Sequence, residues 1–461
     1  MLRRDRLIPA LVASPLFLQN LDTSAMVTAL PAIASALGVP PLHLNLAITA
    51  YLLSLALFLP LSGWLADRIG ARRVFCLAIG LFSLASGLCG LADSVPALVL
   101  FRVLQGLGGA LMLPVGRLIL LRAVPPERMV AAMIWFSIPP VLGRLAGPLF
   151  GGLVVTWTSW RWIFLVNIPF GLLAIALTLA WVDESPRPAQ PAPFDARGFA
   201  LLAPGLTLLM VAMETAGRGL LPAWAGWLAA AAGAGLLGVY WRHSRRSAHP
   251  LIDLGILRHR TFRASVVGGT PLRIAIGAVP FLLPLMLQLG FGLSPLAAGL
   301  LTLATALGGL STRVVLRQAI QRFGFRPLLI GATVASSLSY AGYGLFTPAT
   351  PQGLMFTAML AGGLATSTCM VCLATLGFSE VPRPRMSHAT ALSSMAQQLS
   401  NSFGVVLAGA LLLLFSLSHG GDGTRLQARD FSPVFWVMAL LNAASLLWFV
   451  RLHPQAGDGM R

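Results

Sequence analysis

Lysine is absent from this 461-residue chain, and acidic residues number only 14. Charged residues make up 10% of the composition, against 57% hydrophobic residues and a mean hydropathy of +0.81. Since an average soluble domain carries about 25% charged residues, this composition excludes the soluble globular class. Apolar runs of about twenty residues recur from end to end, and each is long enough to cross a membrane.

Cysteine is scarce as well, with four in the chain and no framework for disulfides. Cys369 and Cys372 form a C-x-x-C pair inside an apolar run, but no second pair follows, so we expect small buried side chains rather than a zinc site. The sequence also lacks a Walker motif, a catalytic triad and a metal-ligand cluster. We therefore expect neither an enzyme nor an ATP-driven pump, and no metal or other cofactor.

The apolar runs predict an all-α membrane protein with fourteen transmembrane helices. The predicted spans are 8–32, 45–66, 74–92, 96–120, 130–156, 162–182, 198–214, 222–241, 264–288, 295–316, 327–346, 352–379, 393–418 and 431–450. The first span exceeds signal-peptide length and lacks a convincing cleavage site, so we expect it to be retained. An even number of spans places both termini on one side of the membrane.

The arginines predict which side that is. With the N-terminus inside, 23 of the 32 arginines fall in cytoplasmic segments. Four fall in external segments, namely Arg161, Arg218, Arg425 and Arg429. Five fall within spans, namely Arg102, Arg117, Arg144, Arg273 and Arg313. Because positive charge is retained at the cytoplasmic face, both termini are expected to be cytoplasmic. The net charge of +18 then reflects topology, with anionic lipid rather than nucleic acid as the expected partner.

Two predicted cytoplasmic segments differ from ordinary loops. Residues 183–197 are proline-rich and polar, a composition typical of a semi-rigid linker. Residues 242–263 interleave arginines with Leu and Ile, which favours a surface helix lying on the inner leaflet and leaves a regulatory role open.

A short repeat indicates an internal duplication. The pattern R-x-G-x-R occurs at 68–72, between predicted spans 2 and 3, and again at 322–326, between spans 10 and 11. The two loops are equivalent if the chain contains two pseudo-symmetric six-helix halves, a construction found among secondary transporters. The predicted division is an N-terminal half at 1–182, a linker with two extra membrane helices and a basic loop at 183–263, and a C-terminal half at 264–461.

Asp22 is an acid inside the first apolar run, with about ten apolar-rich residues on either side. Carboxylates are rare in membrane spans and usually functional, because hydrocarbon solvates charge poorly. One interpretation places Asp22 at a helix end in headgroup water, and the flanking residues favour the other, a deep carboxyl group that binds and releases protons.

Several stretches resemble motifs of the major facilitator superfamily. GWLADRIGARR (63–73) is similar to its loop signature, FRVLQGLGGA (101–110) to its fourth-span motif, and GRLAGPLFGG (143–152) to its antiporter motif. LDTSAMVTALP (21–31), WRWIFLVNIPFG (160–171) and RIAIGAVPFLLPLMLQ (273–288) resemble markers of the fourteen-span drug/proton antiporter branch. The chain departs from the usual patterns at Ser24, Val27, Ala71 and Arg144.

The resemblance and the residue chemistry together give the expected site residues. Proton coupling is expected from Asp22 with Arg102, whose depths along their spans bring them within side-chain reach. The resemblance implies a conformational latch that favours the outward-facing shape, formed by Gly63, Asp67, Arg68, Gly70 and Arg72. It also implies an antiporter motif of Gly143, Gly147, Pro148, Gly151 and Gly152, in which glycines four residues apart allow close helix approach.

The candidate substrate-cavity residues are Gln105, Arg144, Arg273, Gln288 and Gln397. Arg144 and Arg273 each have three open interpretations: pairing with a span acid, reaching headgroups, or meeting substrate.

The expected protein is therefore a proton-coupled antiporter of the bacterial inner membrane, acting as a monomer. It exports small hydrophobic or amphiphilic compounds by alternating access, most simply as a multidrug efflux protein. The alternatives are a dedicated exporter of a metabolite, siderophore or lipid and, more remotely, a non-transporting membrane receptor or scaffold.

Overall fold

The computed structural model describes residues 4–123, 129–184, 193–215, 222–247, 250–252, 254–381, 386–420 and 426–453. Over these ranges the regular structure is entirely helical, with no strand. The predicted all-α class is therefore confirmed. The chain forms two compact units, Met1–Asp195 and Ala196–Arg461.

The first unit is built on two long helix pairs, α1 against α6 and α4 against α5. Its α-helices are α1 (Arg4–Ala36), α2 (Asn45–Phe58), α3 (Leu61–Ile69), α4 (Ala71–Gly90), α5 (Val95–Ala123), α6 (Met129–Trp157), α7 (Trp162–Leu165) and α8 (Asn167–Trp181). Pro60 precedes α3 and lacks a backbone N–H, which explains why α2 and α3 are two helices rather than one.

The second unit pairs α13 with α15 and α12 with α16, while α9 packs against α10. Its α-helices are α9 (Ala196–Thr215), α10 (Ala223–Arg246), α11 (Arg260–Arg263), α12 (Thr270–Leu285), α13 (Pro295–Phe323), α14 (Phe325–Tyr343), α15 (Gln352–Phe378), α16 (Met386–Ser418), α17 (Ala428–Ala444) and α18 (Leu446–Phe449). Two π-helical segments, Ala264–Gly268 and Met286–Gly290, flank α12.

Eleven helical segments within the described residues are long and apolar enough to cross a membrane. Each of the fourteen predicted spans overlaps a helix or a run of consecutive helices, and the three outside the eleven lie in α1, α10 and α14. Polar residues interrupt two of these three: α1 contains Gln19, Asn20 and Asp22, and α14 contains Ser336 and Ser337. The multi-span character is confirmed, whereas the count of fourteen stays a prediction.

The two R-x-G-x-R segments adopt the same local structure. Gly70 separates α3 from α4 with φ +106°, and Gly324 separates α13 from α14 with φ +81°. Both values lie in the region that favours glycine, which accounts for the residue at these turns. The last arginine of each segment donates to a valine carbonyl near the end of its own unit's helices, Arg72 to Val182 at 3.1 Å and Arg326 to Val450 at 2.7 Å.

The arginine-rich segment 242–263 is not the single surface helix that its pattern predicted. Helix α10 continues to Arg246, a 3₁₀ turn covers Leu254–Arg258, and α11 begins at Arg260. Pro250 stands between the first two elements and cannot continue a helix. The Tyr240 and Ser244 side chains of α10 instead hydrogen-bond the backbone of Ile252.

Some predicted features fall outside the described residues. They include the arginines Arg218 and Arg425, the side chain of Arg313 and most of the proline-rich linker, 185–192. The division of the chain at 182 and 263 stays a prediction.

Candidate functional site

A buried ion pair forms the centre of the first unit. Asp22 of α1 and Arg102 of α5 are both fully enclosed, and Arg102 Nη1 donates to Asp22 Oδ2 at 2.7 Å. The structure thus brings together the two residues to which proton coupling was assigned. Charges removed from solvent persist only when they are paired and hydrogen-bonded, so each depends on the other.

Gln105 completes the α5 side of this pair. It lies three residues after Arg102, which places both side chains on one helix face. Gln105 Nε2 donates to Asp22 Oδ1 at 3.2 Å, and its Oε1 accepts from Arg102 Nη1. The glutamine therefore bridges the acid and the base, whereas the role in a substrate cavity that the sequence suggested for it stays a prediction.

Asn167, at the start of α8, is a site residue that sequence reasoning missed. Its Nδ2 donates to Asp22 Oδ1 at 3.2 Å and to Ser86 Oγ of α4 at 2.8 Å. Ser86 in turn donates to the Phe164 carbonyl at 2.9 Å. The available signal was an asparagine within the apolar run WRWIFLVNIPFG, because a buried amide requires partners.

Aromatic rings enclose the rest of the Arg102 guanidinium. Its central carbon lies 4.5 Å from the Tyr51 ring centroid and 5.5 Å from that of Phe164, both within cation–π range. Its Nε and Nη2 have no hydrogen-bond partner among the described residues. The site therefore holds Arg102 by one carboxylate, one amide oxygen and two ring faces.

The glycines of the antiporter motif seat α6 directly on α1, the helix that carries Asp22. A Cβ at Gly147 would collide with the Ser24 side chain, and one at Gly151 would lie 2.6 Å from the Ala25 carbonyl oxygen. A Cβ at Gly143 would meet the backbone of Phe17. Pro148 and Gly152 lie in the same stretch of α6, and the Gly152 carbonyl accepts from Thr156 Oγ1. The motif thus determines how closely α6 approaches the site helix.

Arg144 lies on the same face of contact but remains exposed. Its Nη2 donates to Asn20 Oδ1 of α1 at 3.1 Å, and its carbonyl accepts from Ser24 Oγ at 3.3 Å. The guanidinium is therefore oriented by a neutral amide.

The other candidate cavity residues belong to the second unit. Arg273 is buried, with its Nη1 donating to the Ser265 carbonyl at 2.6 Å, in the π-helical segment before α12. A π-helix redirects backbone carbonyls, and here the arginine uses them. Gln288 is buried in the second π-helical segment, and Gln397 is half-buried on α16.

The predicted latch lies along α3 and the start of α4. Gly63 is exposed and Asp67 half-buried, while Arg68 stacks on Trp64 at 5.4 Å. Beyond Gly70, Arg72 approaches Glu184 at 3.7 Å in addition to its bond to Val182. These contacts tie the loop to the segment that follows α8 in the same unit.

Comparisons with known proteins extend over nearly the whole chain. The family model described as Major Facilitator Superfamily matches residues 15–400 and 266–459. The chain is 38% identical to "Putative multidrug resistance protein MdtD" of Klebsiella pneumoniae subsp. pneumoniae, over 97% of this chain and 95% of that protein. The protein of the same name from Escherichia fergusonii is also 38% identical, over 96% of this chain and 93% of that one.

Solved structures show the same fold. A D-xylose-proton symporter superposes with a TM-score of 0.68 at 17% identity, covering 98% of this chain and 97% of that one. The POT family transporter PepTSo gives 0.69 at 14% identity, covering 97% and 99%. The resemblance found in the sequence motifs is confirmed, and the chain belongs to the Major Facilitator Superfamily.

Proposed function

We propose that this protein is a proton-coupled exporter of small hydrophobic or amphiphilic compounds, acting by alternating access as a multidrug efflux antiporter. The buried Asp22–Arg102 pair is the observation that carries the proposal. A carboxylate enclosed in a membrane helix is costly to maintain, and its usual role is in an ion or proton pathway. Similarity to proteins named for multidrug resistance gives the substrate class.

The hydrogen bonds around Asp22 support a specific coupling step. Arg102, Gln105 and Asn167 all donate to its oxygens, an arrangement that satisfies an ionised carboxylate. If Asp22 took up a proton in place, the buried Arg102 would lose its counter-charge, which is strongly unfavourable. Proton binding therefore requires Arg102 to separate from Asp22 or water to enter, and this links the proton to a rearrangement of α1 against α5.

We further propose fourteen spans with both termini cytoplasmic, arranged as two six-helix halves at 1–182 and 264–461 with two additional helices between them. The matched glycine turns and the matched Arg72 and Arg326 bonds support the duplication. Reporter fusions at the C-terminus and after residue 220 would test the topology. A cytoplasmic signal at 220 would contradict it.

Anionic lipid is the proposed partner at the cytoplasmic face of the inner membrane, with the protein acting as a monomer. The exposed arginines of residues 242–263, at the end of α10 and in the segment that follows it, are Arg242, Arg245, Arg246, Arg258, Arg260 and Arg263. Basic side chains near the surface of a membrane are attracted by a negatively charged leaflet.

Flux measurement in proteoliposomes tests the function. A fluorescent amphiphile should be moved against its gradient when a pH gradient is imposed, and the flux should collapse when a protonophore dissipates that gradient. Transport that persists without the pH gradient would rule out proton coupling, and the absence of any flux across a broad panel of amphiphiles would favour a dedicated exporter or a receptor.

A further inference from the structure

The three arginines that the sequence places deep within spans occupy three different environments. Arg102 is buried and paired with Asp22, and Arg273 is buried against backbone carbonyls of its own segment. Arg144 is exposed, and within the described part of the chain it forms no ion pair. Of the three, only Arg144 presents a cation that a ligand can reach.

The position of Arg144 near the middle of α6 argues against contact with lipid headgroups. It lies 15 residues after Met129 and 13 before Trp157, the ends of α6. At ~1.5 Å per residue, that is about 20 Å or more from either helix end. The hydrocarbon boundary lies about 15 Å from the middle of a bilayer, beyond the reach of an arginine side chain of about 7 Å. A charge exposed to hydrocarbon at this depth is costly, so the exposed guanidinium faces water or a ligand.

Asn20 orients the Arg144 guanidinium without neutralising its charge. The Asn20 Nδ2 donates to the Leu16 carbonyl at 2.8 Å, which directs the Oδ1 toward Arg144. The Ser24 bond to the Arg144 carbonyl joins the two helices at the same level. One of the five N–H donors of the Arg144 guanidinium thus bonds Asn20, and the other N–H groups remain available for a planar anion.

We propose that Arg144 recognises an anionic group, a carboxylate in the simplest case, on an amphiphilic substrate. A guanidinium pairs with a carboxylate through two parallel N–H···O bonds, which gives both affinity and orientation. This inference rests on the proposed exporter function and makes amphiphiles that carry an oxyanion its preferred substrates.

Binding to the purified full-length protein tests the inference separately from transport. Three fluorescent probes that share one aromatic core carry a carboxylate, a carboxamide or an ammonium group. The wild type should bind the carboxylate probe most tightly. Arg144→Gln should weaken it by about ten- to a hundredfold, the value of a charged hydrogen bond, and change the carboxamide probe by less than about threefold. Arg144→Lys should restore part of the affinity, and Arg197→Gln, which removes an exposed arginine from α9, should change nothing.

Asn20→Asp provides a second test that keeps Arg144 in place. A carboxylate at position 20 would pair with the guanidinium, and the carboxylate probe should lose affinity selectively. If Arg144→Gln does not fold, this variant decides the question. Inorganic phosphate and acetate in excess should compete weakly, because the apolar body of the substrate contributes the remaining affinity.

Several outcomes would overturn the inference. They are a wild type that does not prefer the carboxylate probe, an equal loss for all three probes in Arg144→Gln, and unchanged binding in both variants. Failure of the proposed function gives a different result. Selective carboxylate binding without pH-driven flux would contradict the exporter function and still support the anion site at Arg144.

Discussion

At the residue scale, Asp22 joins three helices through its two carboxylate oxygens. Arg102 and Gln105 approach from α5 and Asn167 from α8, while Asp22 itself belongs to α1. Charge-assisted hydrogen bonds in a low-dielectric interior are strong, and each is lost if one of these helices moves away. The carboxyl group therefore lies where three helices meet, and under the proposed coupling step a change in its protonation would alter their packing.

Replacing Asp22 by Asn should abolish pH-gradient-driven export without preventing membrane insertion. Asn keeps the shape and accepts hydrogen bonds but cannot exchange a proton, and it leaves Arg102 without its counter-charge. Initial flux in proteoliposomes should fall to the level of empty vesicles, while the amount of protein in the membrane is unchanged. Wild-type proton-driven flux in this variant would exclude the coupling role.

At the element scale, the close approach of α6 to α1 depends on glycines, which have no side chain to keep the helices apart. At Gly147 even a Cβ would contact the side chain of Ser24, so the two helices meet backbone to backbone. Small residues permit this packing, which provides van der Waals contact that lipid cannot replace. This contact between α1 and α6, called the seam below, fixes the position of the helix that carries Asp22.

Gly147→Leu should separate α1 from α6 and disturb the ion pair, because Ser24, which the added side chain would meet, lies two residues after Asp22. Overpacking a tight interface costs about 1–3 kcal/mol, and we expect a lower melting temperature in detergent together with reduced flux. Gly331→Leu on α14 is the matched control, because no atom lies within 4 Å of a Cβ added there. A melting temperature equal to that of the control would show that the seam is not tight.

The loop before α4 gives a second prediction at this scale. Asp67→Ala and Gly70→Leu should both slow transport at normal expression if the loop is the predicted latch. The first variant removes its carboxylate, and the second forces a branched side chain to φ +106°. Backbone strain of this kind costs of the order of 1–3 kcal/mol. Asp93→Ala, which removes an exposed acid paired with Arg161, should leave the initial rate unchanged. Wild-type rates for both loop variants would show that the charges of this loop serve only to orient the protein in the membrane.

At the scale of the whole molecule, the balance of deep charges limits the substrate. Asp22 is the one deep acid predicted from the sequence, against three deep arginines, Arg102, Arg144 and Arg273, and it is already engaged by Arg102. Asp430 is a further buried acid, but it lies at the start of α17 and is held by His419 and by the Gln427 N–H. Among the described residues, no second carboxylate remains free deep in a span.

A lipophilic dication should consequently be a poor substrate. If Asp22 carries the proton, the second positive charge would be desolvated without compensation, which is prohibitively costly. Competition with matched monovalent and divalent cations, measured against the flux of an uncharged probe, checks this expectation. Equal or stronger competition by the divalent series would contradict it.

Much of this architecture could be predicted from local sequence. Long apolar runs indicate membrane helices, the spacing of Arg102 and Gln105 places them on one face, and glycines four apart indicate a close helix contact. The turn at Gly70 follows from a glycine between two helical patterns, and it recurs at Gly324. Such features depend only on helix geometry, which a few neighbouring residues determine.

The sequence by itself determined the all-α membrane class, the family and the pairing of one buried acid with one buried base. Only the tertiary structure decided that Asn167, 145 residues from Asp22, donates a hydrogen bond to its carboxylate. It also decided that, of the three deep arginines, Arg144 alone is exposed. The physical reason is that membrane helices are apolar on the sides facing both lipid and protein, so hydrophobic periodicity does not reveal helix rotation. Contacts between helices depend on that rotation and on packing across the whole unit.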